Sequence, residues 1–406
     1  MSETADASDA QGSRADPATK PEDVTWMRAA LAYARRGLGR VGSNPAVAAL
    51  IVRDGRLLAR GVTAPGGRPH AEALALSRLA GRDLARGAEV YVTLEPCAHH
   101  GLTPPCASAL IKAGIARLIC PLADPDPRVN GRGFAALRGA GVEVVVGVCA
   151  EEARALNRGF LTRLVEGRPH VTLKLATTLD GRIATAEGES QWITGAAARH
   201  RVHAMRRAVD AVMVGIGTAS ADDPMLNARG VSAGSRAVRR VVVDPRLRLS
   251  LSSRLVRTAA EAPVTLLHGP DAPQARHDAL REAGVTLIAV PPVPRDQRSV
   301  HGQPVRLGEA LDLAAGLRAL GEAGVSSVFC EGGGTLAAAL LAARLVDEVV
   351  FFTAGRVFGA GGVPGIGALA PTPLAGMPAF ALTSVEALDG DVMSVWRPRD
   401  ADGAMA

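Results

Sequence analysis

The stretch LEPCAHHGLTPPC, residues 94–106, holds two cysteines, two adjacent histidines and a glutamate in one short segment. Three interpretations suit it: a complete metal site, half of one, or a tight turn without a metal. A predicted strand over 89–94 precedes it, and His70-Ala71-Glu72 lies upstream, just before an apolar-periodic helix. One histidine followed by Pro-Cys and a second cysteine supplies one nitrogen and two thiolates. Catalytic zinc sites use three such ligands and leave a fourth position open, so this order predicts a zinc site of the deaminase type.

In that chemistry His70, Cys97 and Cys106 bind one Zn²⁺ per chain, and Glu72 moves protons without binding the metal. Zinc lowers the pKa of water, and Glu72 takes the released proton and passes it to the ring nitrogen and the departing ammonia. Pro96 suits the first turn of a helix, which would help to keep Cys97 a thiolate. Taken singly, a His-Ala-Glu triplet is mostly accidental, and cysteines at this spacing are more often buried small side chains.

Composition limits the other classes of function. The chain has 406 residues, 48% hydrophobic and 21% charged, which predicts two or three globular domains. Five cysteines, an odd number, argue against a disulfide framework and for the reducing cytoplasm. We find no signal peptide and no apolar run of the roughly 18–20 residues that a membrane span needs. The net charge of +6 is scattered and aromatics are only 3%, so nucleic-acid binding is disfavoured, whereas small phosphorylated substrates suit the charge.

Strands that alternate with short helices predict two α/β domains. We expect a disordered tail over 1–24, a deaminase domain over 25–150, a polar connector helix over 151–168, a second domain over 169–398 and a C-terminal tail over 399–406. Thr25 is the predicted N-cap of a helix over 25–38. The predicted strands are 46–53, 89–94, 117–121 and 143–148 in the first domain, and 170–176, 211–214, 240–243, 264–267, 285–290, 327–330 and 348–352 in the second.

Two glycine-rich strand exits stand out in the second domain. Glu331-Gly-Gly-Gly-Thr335 follows a strand and opens a helix, and Gly215-Ile-Gly-Thr218 follows another. Free N–H groups at a helix start attract phosphates, although such a segment alone is equally an ordinary turn. The G-x-G-x-x-G fingerprint is absent, which disfavours a standard Rossmann domain. Lys174 is one of three lysines among 46 basic residues, so either a compact ammonium is needed there or it is a solvated edge-strand lysine.

The whole chain resembles the bifunctional riboflavin-biosynthesis deaminase/reductase family. SNPAVAALIV, HAEALAL, YVTLEPCAHHGLTPPC and DPDPRVNGRGFAALRGAGVEV carry the resemblance over about 26–148. KLATTLDGRIAT, GESQWITG, VHAMRRAVDAVMVGIGTASADDPMLNARG and VFCEGGGTLAAALLAARLVDEVVFF carry it over about 169–396. It implies a cytidine-deaminase-like α/β/α domain with a mixed sheet, followed by a dihydrofolate-reductase-like α/β domain that uses NADPH.

The resemblance also implies substrates and site residues. The first domain would deaminate 2,5-diamino-6-(5-phosphoribosylamino)pyrimidin-4(3H)-one, and the second would reduce 5-amino-6-(5-phosphoribosylamino)uracil to the ribitylamino phosphate. The deaminase substrate would contact Asn44, His99, Asp124 and Asp126. The reductase substrate would contact Lys174, Ser190, Arg206, Leu226, Arg229 and Glu331. The NADPH site would include Ala176, Trp192, Thr218, Asp222, Gly333, Gly334 and Thr335. Without the motif, Arg206 and Arg229 would be surface charges.

Three departures from the family pattern concern the deaminase. Ser43 stands where the family usually has proline, Asp126 where it often has asparagine, and Leu102 where it usually has arginine or lysine. Leucine cannot bind a phosphate, so either another arginine replaces that contact or the substrate is held less tightly. Two other interpretations remain: a deaminase of RNA bases with a C-terminal binding module, and a scaffold with one inactive half. We expect a homo-oligomer that binds neither nucleic acid nor membrane.

Overall fold

The computed structural model describes residues 19–79, 82–99, 104–228, 237–293, 299–300, 303–304, 310–370 and 373–399. The chain divides into two compact units, Met1–Leu161 and Thr162–Ala406. This division lies inside the predicted connector over 151–168. Within the described part of the chain, no helix has both the length and the apolar character that a membrane crossing requires.

The first unit is built around a mixed five-stranded sheet in the order β2-β1-β3-β4-β5. β1 pairs antiparallel with β2 and β3, whereas β3, β4 and β5 are parallel. Short 3-10 turns cover Arg35–Gly37, Pro65–Gly67 and Arg82–Ala85. The strands are β1 (Ala48–Arg53), β2 (Arg56–Val62), β3 (Glu89–Val92), β4 (Arg117–Cys120) and β5 (Glu143–Val146), and the helices are α1 (Pro21–Ala34), α2 (Ala71–Ser77), α3 (Cys106–Ala113), α4 (Arg132–Gly139) and α5 (Ala150–Glu166), which runs across the division.

Strand direction brings the predicted site together. β2 and β3 are both antiparallel to β1, so β2, β3 and β4 all end at the same edge of the sheet. The segment that leads to α2 follows β2, the segment that leads to α3 follows β3, and residues 121–131 follow β4. Each of the four predicted metal and proton-transfer residues therefore lies in a segment that starts from this edge.

The beginning of the first helix differs from the prediction. α1 begins at Pro21, inside the expected tail, and Lys20 rather than Thr25 is its N-cap. Asp23 accepts the Lys20 backbone N–H at 2.8 Å and is bound through both carboxylate oxygens by Arg117 of β4. Asp23 can therefore cap the helix while buried, because Arg117 on a neighbouring strand balances its charge. The sequence pattern alone does not show that Arg117 is its partner. Residues 1–18 lie outside the described part.

The second unit contains a nine-stranded sheet in the order β11-β10-β9-β8-β14-β6-β15-β18-β17. Strands β11 to β15 of this order are parallel, and β18 and β17 add antiparallel to β15. A 3-10 turn covers Leu374–Gly376. The strands are β6 (His170–Thr178), β7 (Arg182–Ala184), β8 (Ala211–Gly215), β9 (Arg239–Val243), β10 (Val264–His268), β11 (Thr286–Ala289), β12 (Ser299–Val300), β13 (Gln303–Pro304), β14 (Ser327–Cys330), β15 (Glu348–Ala354), β16 (Val363–Pro364), β17 (Phe380–Leu388) and β18 (Asp391–Pro398). The helices are α6 (Ala196–Arg207), α7 (Ile216–Asp222), α8 (Arg254–Arg257), α9 (Gln274–Glu282), α10 (Leu313–Glu322) and α11 (Gly334–Ala342).

The seven strands predicted for this domain are present within a few residues of their expected bounds. All except β11 are mostly buried, and their apolar runs are visible in the sequence: Val171, Leu173, Val328 and Val349 belong to one core cluster. β14 lies between β8 and β6, so α11 after β14 and α7 after β8 begin at neighbouring strand exits. The two glycine-rich segments therefore meet at one edge of this sheet.

Candidate active sites

The three predicted zinc ligands converge. His70 is the N-cap of α2, Cys97 lies in the segment after β3, and Cys106 is the first residue of α3. His70 Nδ1 is 3.7 Å from Cys97 Sγ and 3.4 Å from Cys106 Sγ, and the three ligand atoms lie within 4.8 Å of one another. A tetrahedral Zn²⁺ with ordinary bond lengths would separate N and S by about 3.6 Å and the two sulfurs by about 3.8 Å. The donor set and its spacing therefore fit zinc.

Cys97 is held as a thiolate, but not by the helix that its sequence suggested. The backbone at Pro96 and Cys97 is not helical, so the prediction of a helix start there was wrong. The Cys106 thiol and His70 donate to Cys97 Sγ and lower the pKa of Cys97 to about 4. The Cys106 backbone N–H, in the first turn of α3, also donates to Cys97 Sγ at 3.3 Å. The same thiol–thiolate contact raises the pKa of Cys106. Cysteine binds a metal as the thiolate, so zinc binding would require the Cys106 proton to leave.

Glu72 lies in the first turn of α2 and is 4% exposed. Burial raises the pKa of this carboxyl to about 7, and the negative charge of Cys97 adds to the effect. A carboxyl that titrates near neutral pH can both accept and release a proton in one reaction cycle. Its place beside His70 and the two cysteines is what the predicted proton-transfer role requires.

Two of the predicted substrate residues have contrasting surroundings. The Asn44 amide donates to the Val41 carbonyl at 3.3 Å and packs against Gly67, where an added Cβ would lie 2.0 Å from Asn44 Nδ2. Gly67 also has a φ of +88°, so glycine is required there on both counts. His99 Nδ1 is buried without a hydrogen-bond partner among the described residues. Such an atom is suited to a ligand that completes the site.

Asp124 and Asp126 follow β4 and are both buried. Asp124 Oδ1 accepts the Asp126 backbone N–H at 3.0 Å. Burial raises the pKa of Asp124 to about 6, whereas the hydrogen bonds from Arg128 lower the pKa of Asp126. His99 also lowers the pKa of Asp126 through its charge, so these two side chains lie near one another. Neighbouring carboxyls with opposite shifts are typical of a functional site.

Glu95 organises this site, a role that was not predicted from the sequence. Its buried carboxylate accepts four backbone N–H groups, from Asp124 at 3.0 Å, Gly131 at 2.9 Å, Gly133 at 2.9 Å and Phe134 at 3.3 Å. An added Cβ on Gly133 would lie 2.1 Å from the Pro96 carbonyl oxygen, so α4 begins directly against the metal-binding segment. The only signal in the sequence is an acid at a strand exit and two glycines near the start of α4.

The reductase unit contains a buried charged cluster at the carboxyl end of β14. Glu331 accepts from Arg206 Nε at 2.5 Å and Nη2 at 3.0 Å, and Lys174 Nζ lies 3.8 Å from its Oε2. Burial alone would raise the pKa of Glu331, but the charges of Arg206 and Lys174 hold it below its ordinary value. Burial lowers the pKa of Lys174, which suits a lysine that can release a proton.

Arg206 does not point freely at a substrate. Besides its two bonds to Glu331, it donates through Nη1 to the Asn227 carbonyl at 3.0 Å. It therefore fixes Glu331, which the sequence could not show because the two residues are 125 positions apart. The Leu226 side chain, 3% exposed, packs in a core cluster, so only its backbone is left for a substrate. Arg229 lies outside the described residues.

The remaining predicted residues lie on several segments of the second unit. Gly333, the N-cap of α11, donates its N–H to Thr218 Oγ1 at 3.1 Å, which joins the two glycine-rich segments. Ser190 and Trp192 line one cleft, and Trp192 is 64% exposed under the guanidinium of Arg199. Ala176 lies on β6 opposite Phe352 and Asp222 ends α7, while Thr335 lies in the first turn of α11.

The first N–H groups of α11 have no acceptor within the helix and suit a dinucleotide phosphate. The glycines themselves, however, make room for protein atoms rather than for a cofactor. An added Cβ on Gly334 would lie 2.6 Å from the Pro364 carbonyl oxygen, and one on Gly332 would lie 2.6 Å from the Leu336 side chain. Close packing against protein atoms therefore accounts for these two glycines, and the helix start itself fits a phosphate.

Two family models match the chain. The first, "Cytidine and deoxycytidylate deaminase zinc-binding region", covers residues 20–122, and the second, "RibD C-terminal domain", covers residues 169–394. The riboflavin biosynthesis protein RibD of Aquifex aeolicus is 37% identical over 339 residues, which are 84% of this chain and 88% of that protein.

Solved structures agree along nearly the whole chain. RibD of Acinetobacter baumannii is 36% identical with a TM-score of 0.79, covering 93% of this chain and 99% of that one. The diaminohydroxyphosphoribosylaminopyrimidine deaminase/5-amino-6-(5-phosphoribosylamino)uracil reductase of Thermotoga maritima is 34% identical with a TM-score of 0.78, covering 93% and 98%.

These matches confirm the two predicted α/β folds and the two predicted cofactors, Zn²⁺ for the deaminase and NADPH for the reductase. The zinc-binding region of the family model contains His70, Cys97 and Cys106, which the structure brings together. The chain therefore belongs to the RibD family and is a bifunctional enzyme of riboflavin biosynthesis, a deaminase joined to a reductase.

Proposed function

We propose that the first unit hydrolytically deaminates 2,5-diamino-6-(5-phosphoribosylamino)pyrimidin-4(3H)-one. We propose that the second unit then reduces 5-amino-6-(5-phosphoribosylamino)uracil to the ribitylamino phosphate with NADPH. The similar Thermotoga maritima enzyme bears the names of both activities. The observation that carries the proposal is the convergence of His70, Cys97 and Cys106 beside a buried Glu72, on the same chain as a buried Lys174–Glu331 pair.

In the deaminase, His70, Cys97 and Cys106 would hold Zn²⁺, which supplies a Lewis acid that makes water a nucleophile near neutral pH. Glu72 accepts one proton from the attacking water and delivers it to the ring nitrogen, and it then carries the second proton, from the new hydroxyl on the ring carbon, to the amino group. The C–N bond breaks, ammonia leaves, and the ring keeps the oxygen. His99 Nδ1, which has no hydrogen-bond partner among the described residues, and the buried carboxyl of Asp124 would bind polar groups of the pyrimidine.

In the reductase, NADPH would lie at the start of α11 near Thr218 and supply the hydride to C1 of the ring-opened ribose. Lys174 and Glu331 would bind the sugar part of the substrate, with Arg206 holding Glu331 in place. Lys174, whose pKa is lowered by burial, is the ammonium in this cluster that can supply a proton.

The test is to supply the purified enzyme with the diaminopyrimidine phosphate, with and without NADPH, and to identify the products by mass. We expect the aminouracil without NADPH and its ribitylamino form with NADPH. Cys106→Ser should stop the first product and Glu331→Gln should slow only the second. An enzyme that releases ammonia from RNA but not from the pyrimidine phosphate would instead support a deaminase of RNA bases.

We further propose that the enzyme acts in the cytoplasm as a homo-oligomer, without a nucleic-acid or membrane partner. All five cysteines are free, which suits a reducing compartment. Light scattering on the purified protein would measure the oligomeric state, and a monomer at micromolar concentration would contradict that part.

A further inference from the structure

A bidentate ion pair lies in the loop after β4, beside the deaminase site. Arg128 donates to Asp126 through Nε at 2.9 Å and through Nη2 at 2.5 Å, and its backbone N–H donates to Asp126 Oδ1 at 2.9 Å. The two side chains differ in exposure, because that of Asp126 is 12% exposed and that of Arg128 is 70% exposed. The carboxylate of the pair is therefore largely buried, and its guanidinium faces solvent.

The guanidinium still has donors to offer. Arginine carries five N–H groups, and Asp126 takes those on the Nε side. The two protons of Nη1 and the second proton of Nη2 have no acceptor among the described residues. The bond to Asp126 fixes the plane of the group, so less rotamer entropy is lost when a planar anion binds to the free edge.

The pair is tied to the zinc site by short links. Asp126 N–H donates to Asp124, and Asp124 N–H donates to Glu95, two residues before Cys97. His99, two residues after Cys97, has a buried Nδ1 with no hydrogen-bond partner among the described residues. Arg128 is therefore a solvent-facing cation joined through Asp126, Asp124 and Glu95 to the zinc-binding segment.

We propose that Arg128 binds the phosphate of the deaminase substrate and that Asp126 orients it for this contact. The inference rests on the proposed function, in which the substrate is a ribosyl phosphate. Leu102, at the position that is usually basic in the family, cannot make such a bond, so the cation must come from elsewhere in the chain. The Arg128–Asp126 pair supplies it from a residue that the resemblance did not assign.

The test compares deamination of the phosphorylated substrate with that of its phosphatase-treated riboside. We expect Arg128→Ala to raise KM for the phosphorylated substrate about 10- to 100-fold, the loss typical of charge-assisted hydrogen bonds, with little change in kcat. The riboside should be deaminated equally by the variant and the wild type. Arg128→Lys should recover part of the loss, because it restores the charge without the bidentate geometry.

Arg154→Ala is the matched control, because Arg154 also forms an ion pair with an acid, Glu151 at 2.5 Å, but on α5. It should leave both rates unchanged. Equal losses on both substrates would give Arg128 a structural role and overturn the inference, as would an unchanged preference for the phosphate. A wild-type enzyme that deaminates neither form would overturn the proposed function and this inference with it.

Discussion

Glu95→Gln tests whether one buried carboxylate joins the zinc-binding segment to the substrate-binding loop. Its Oε1 accepts the N–H groups of Gly133 and Phe134, and its Oε2 accepts those of Asp124 and Gly131. Glutamine has one acceptor oxygen, and its NH₂ group would face two N–H donors. Whichever way the amide turns, two of the four bonds are lost.

The size of the effect follows from this count. A hydrogen bond to a charged group contributes about 1.5–3 kcal/mol, so two lost bonds cost about 3–6 kcal/mol. Removing the charge also removes its burial penalty, which offsets part of that sum. We therefore expect the free energy of unfolding of the first unit to fall by about 3 kcal/mol, a large share of a typical domain's stability.

Urea unfolding at saturating zinc measures the loss. Trp26 is the one tryptophan of the first unit, so a Trp192→Phe/Trp396→Phe background makes its fluorescence specific. With a slope of about 2 kcal/mol per molar urea, the midpoint should fall by about 1.5 M. Glu152→Gln is the control, because Glu152 is 43% exposed and pairs with an exposed Arg28. It should cost no more than about 1 kcal/mol.

Kinetic measurements distinguish the loss of the loop's attachment to Glu95 from a general loss of stability. Below the unfolding midpoint, Glu95→Gln should raise KM for the pyrimidine phosphate, because Asp124 and the loop after it lose their attachment. The reductase rate, measured on the aminouracil, should be unchanged. If Glu95→Gln unfolds at the same urea concentration as Glu152→Gln and binds substrate normally, the four contacts do not hold the loop.

Three further outcomes are expected. Cys106→Ser should remove zinc, measured by atomic absorption, and abolish deamination while the reductase keeps its rate. Glu331→Gln should lower reduction about 10- to 100-fold, because the carboxylate that binds Arg206 and Lys174 loses its charge, with deamination as the internal control. Asp124→Asn should abolish most deamination yet stabilise the first unit above pH 7 by about 2–3 kcal/mol in denaturant unfolding. Burial raises the folded pKa of Asp124 to about 6, so this carboxyl contributes stability that is complete below about pH 4 and lost as the pH rises through 6. Equal stability of Asp124→Asn and wild type at pH 8 would contradict the sign.

The three zinc ligands could be predicted because the order of one histidine and two cysteines along the sequence is enough to identify them. His70, Cys97 and Cys106 each lie at a recognisable boundary, and their residue types leave few alternatives. The thiolate of Cys97 was assigned to the wrong helix, because the supporting N–H comes from Cys106 rather than from its own segment. Local spacing predicts which atoms can bind a metal, but not which distant group holds each one.

Arginine roles were harder to predict for the same reason. The residue type does not distinguish Arg206 from Arg128, since this chain uses arginine for almost every positive charge. Arg206 is consumed by Glu331 and by a carbonyl, so it acts by positioning. Among the described residues Arg128 keeps free donors, because Asp126 binds only one edge of its guanidinium. The distinction depends on exposure and on partners distant in the chain, and neither can be obtained from a motif.

Both units have an acidic residue directly after a parallel strand, and the sequence alone does not show what this residue binds. Glu95 follows β3 and Glu331 follows β14, and each is an acid with a largely inaccessible side chain just after a parallel strand. At that point the chain leaves the sheet, so a charged acceptor there can fix whatever loop or helix passes next. Glu95 takes backbone N–H groups and so positions a loop, whereas Glu331 takes cations and so positions side chains. An acid at a strand exit therefore predicts an anchor. The partners of the acid decide what it does. In the deaminase they are backbone N–H groups, so the acid fixes the shape of the site, and in the reductase they are cations, so it fixes the charges of the site.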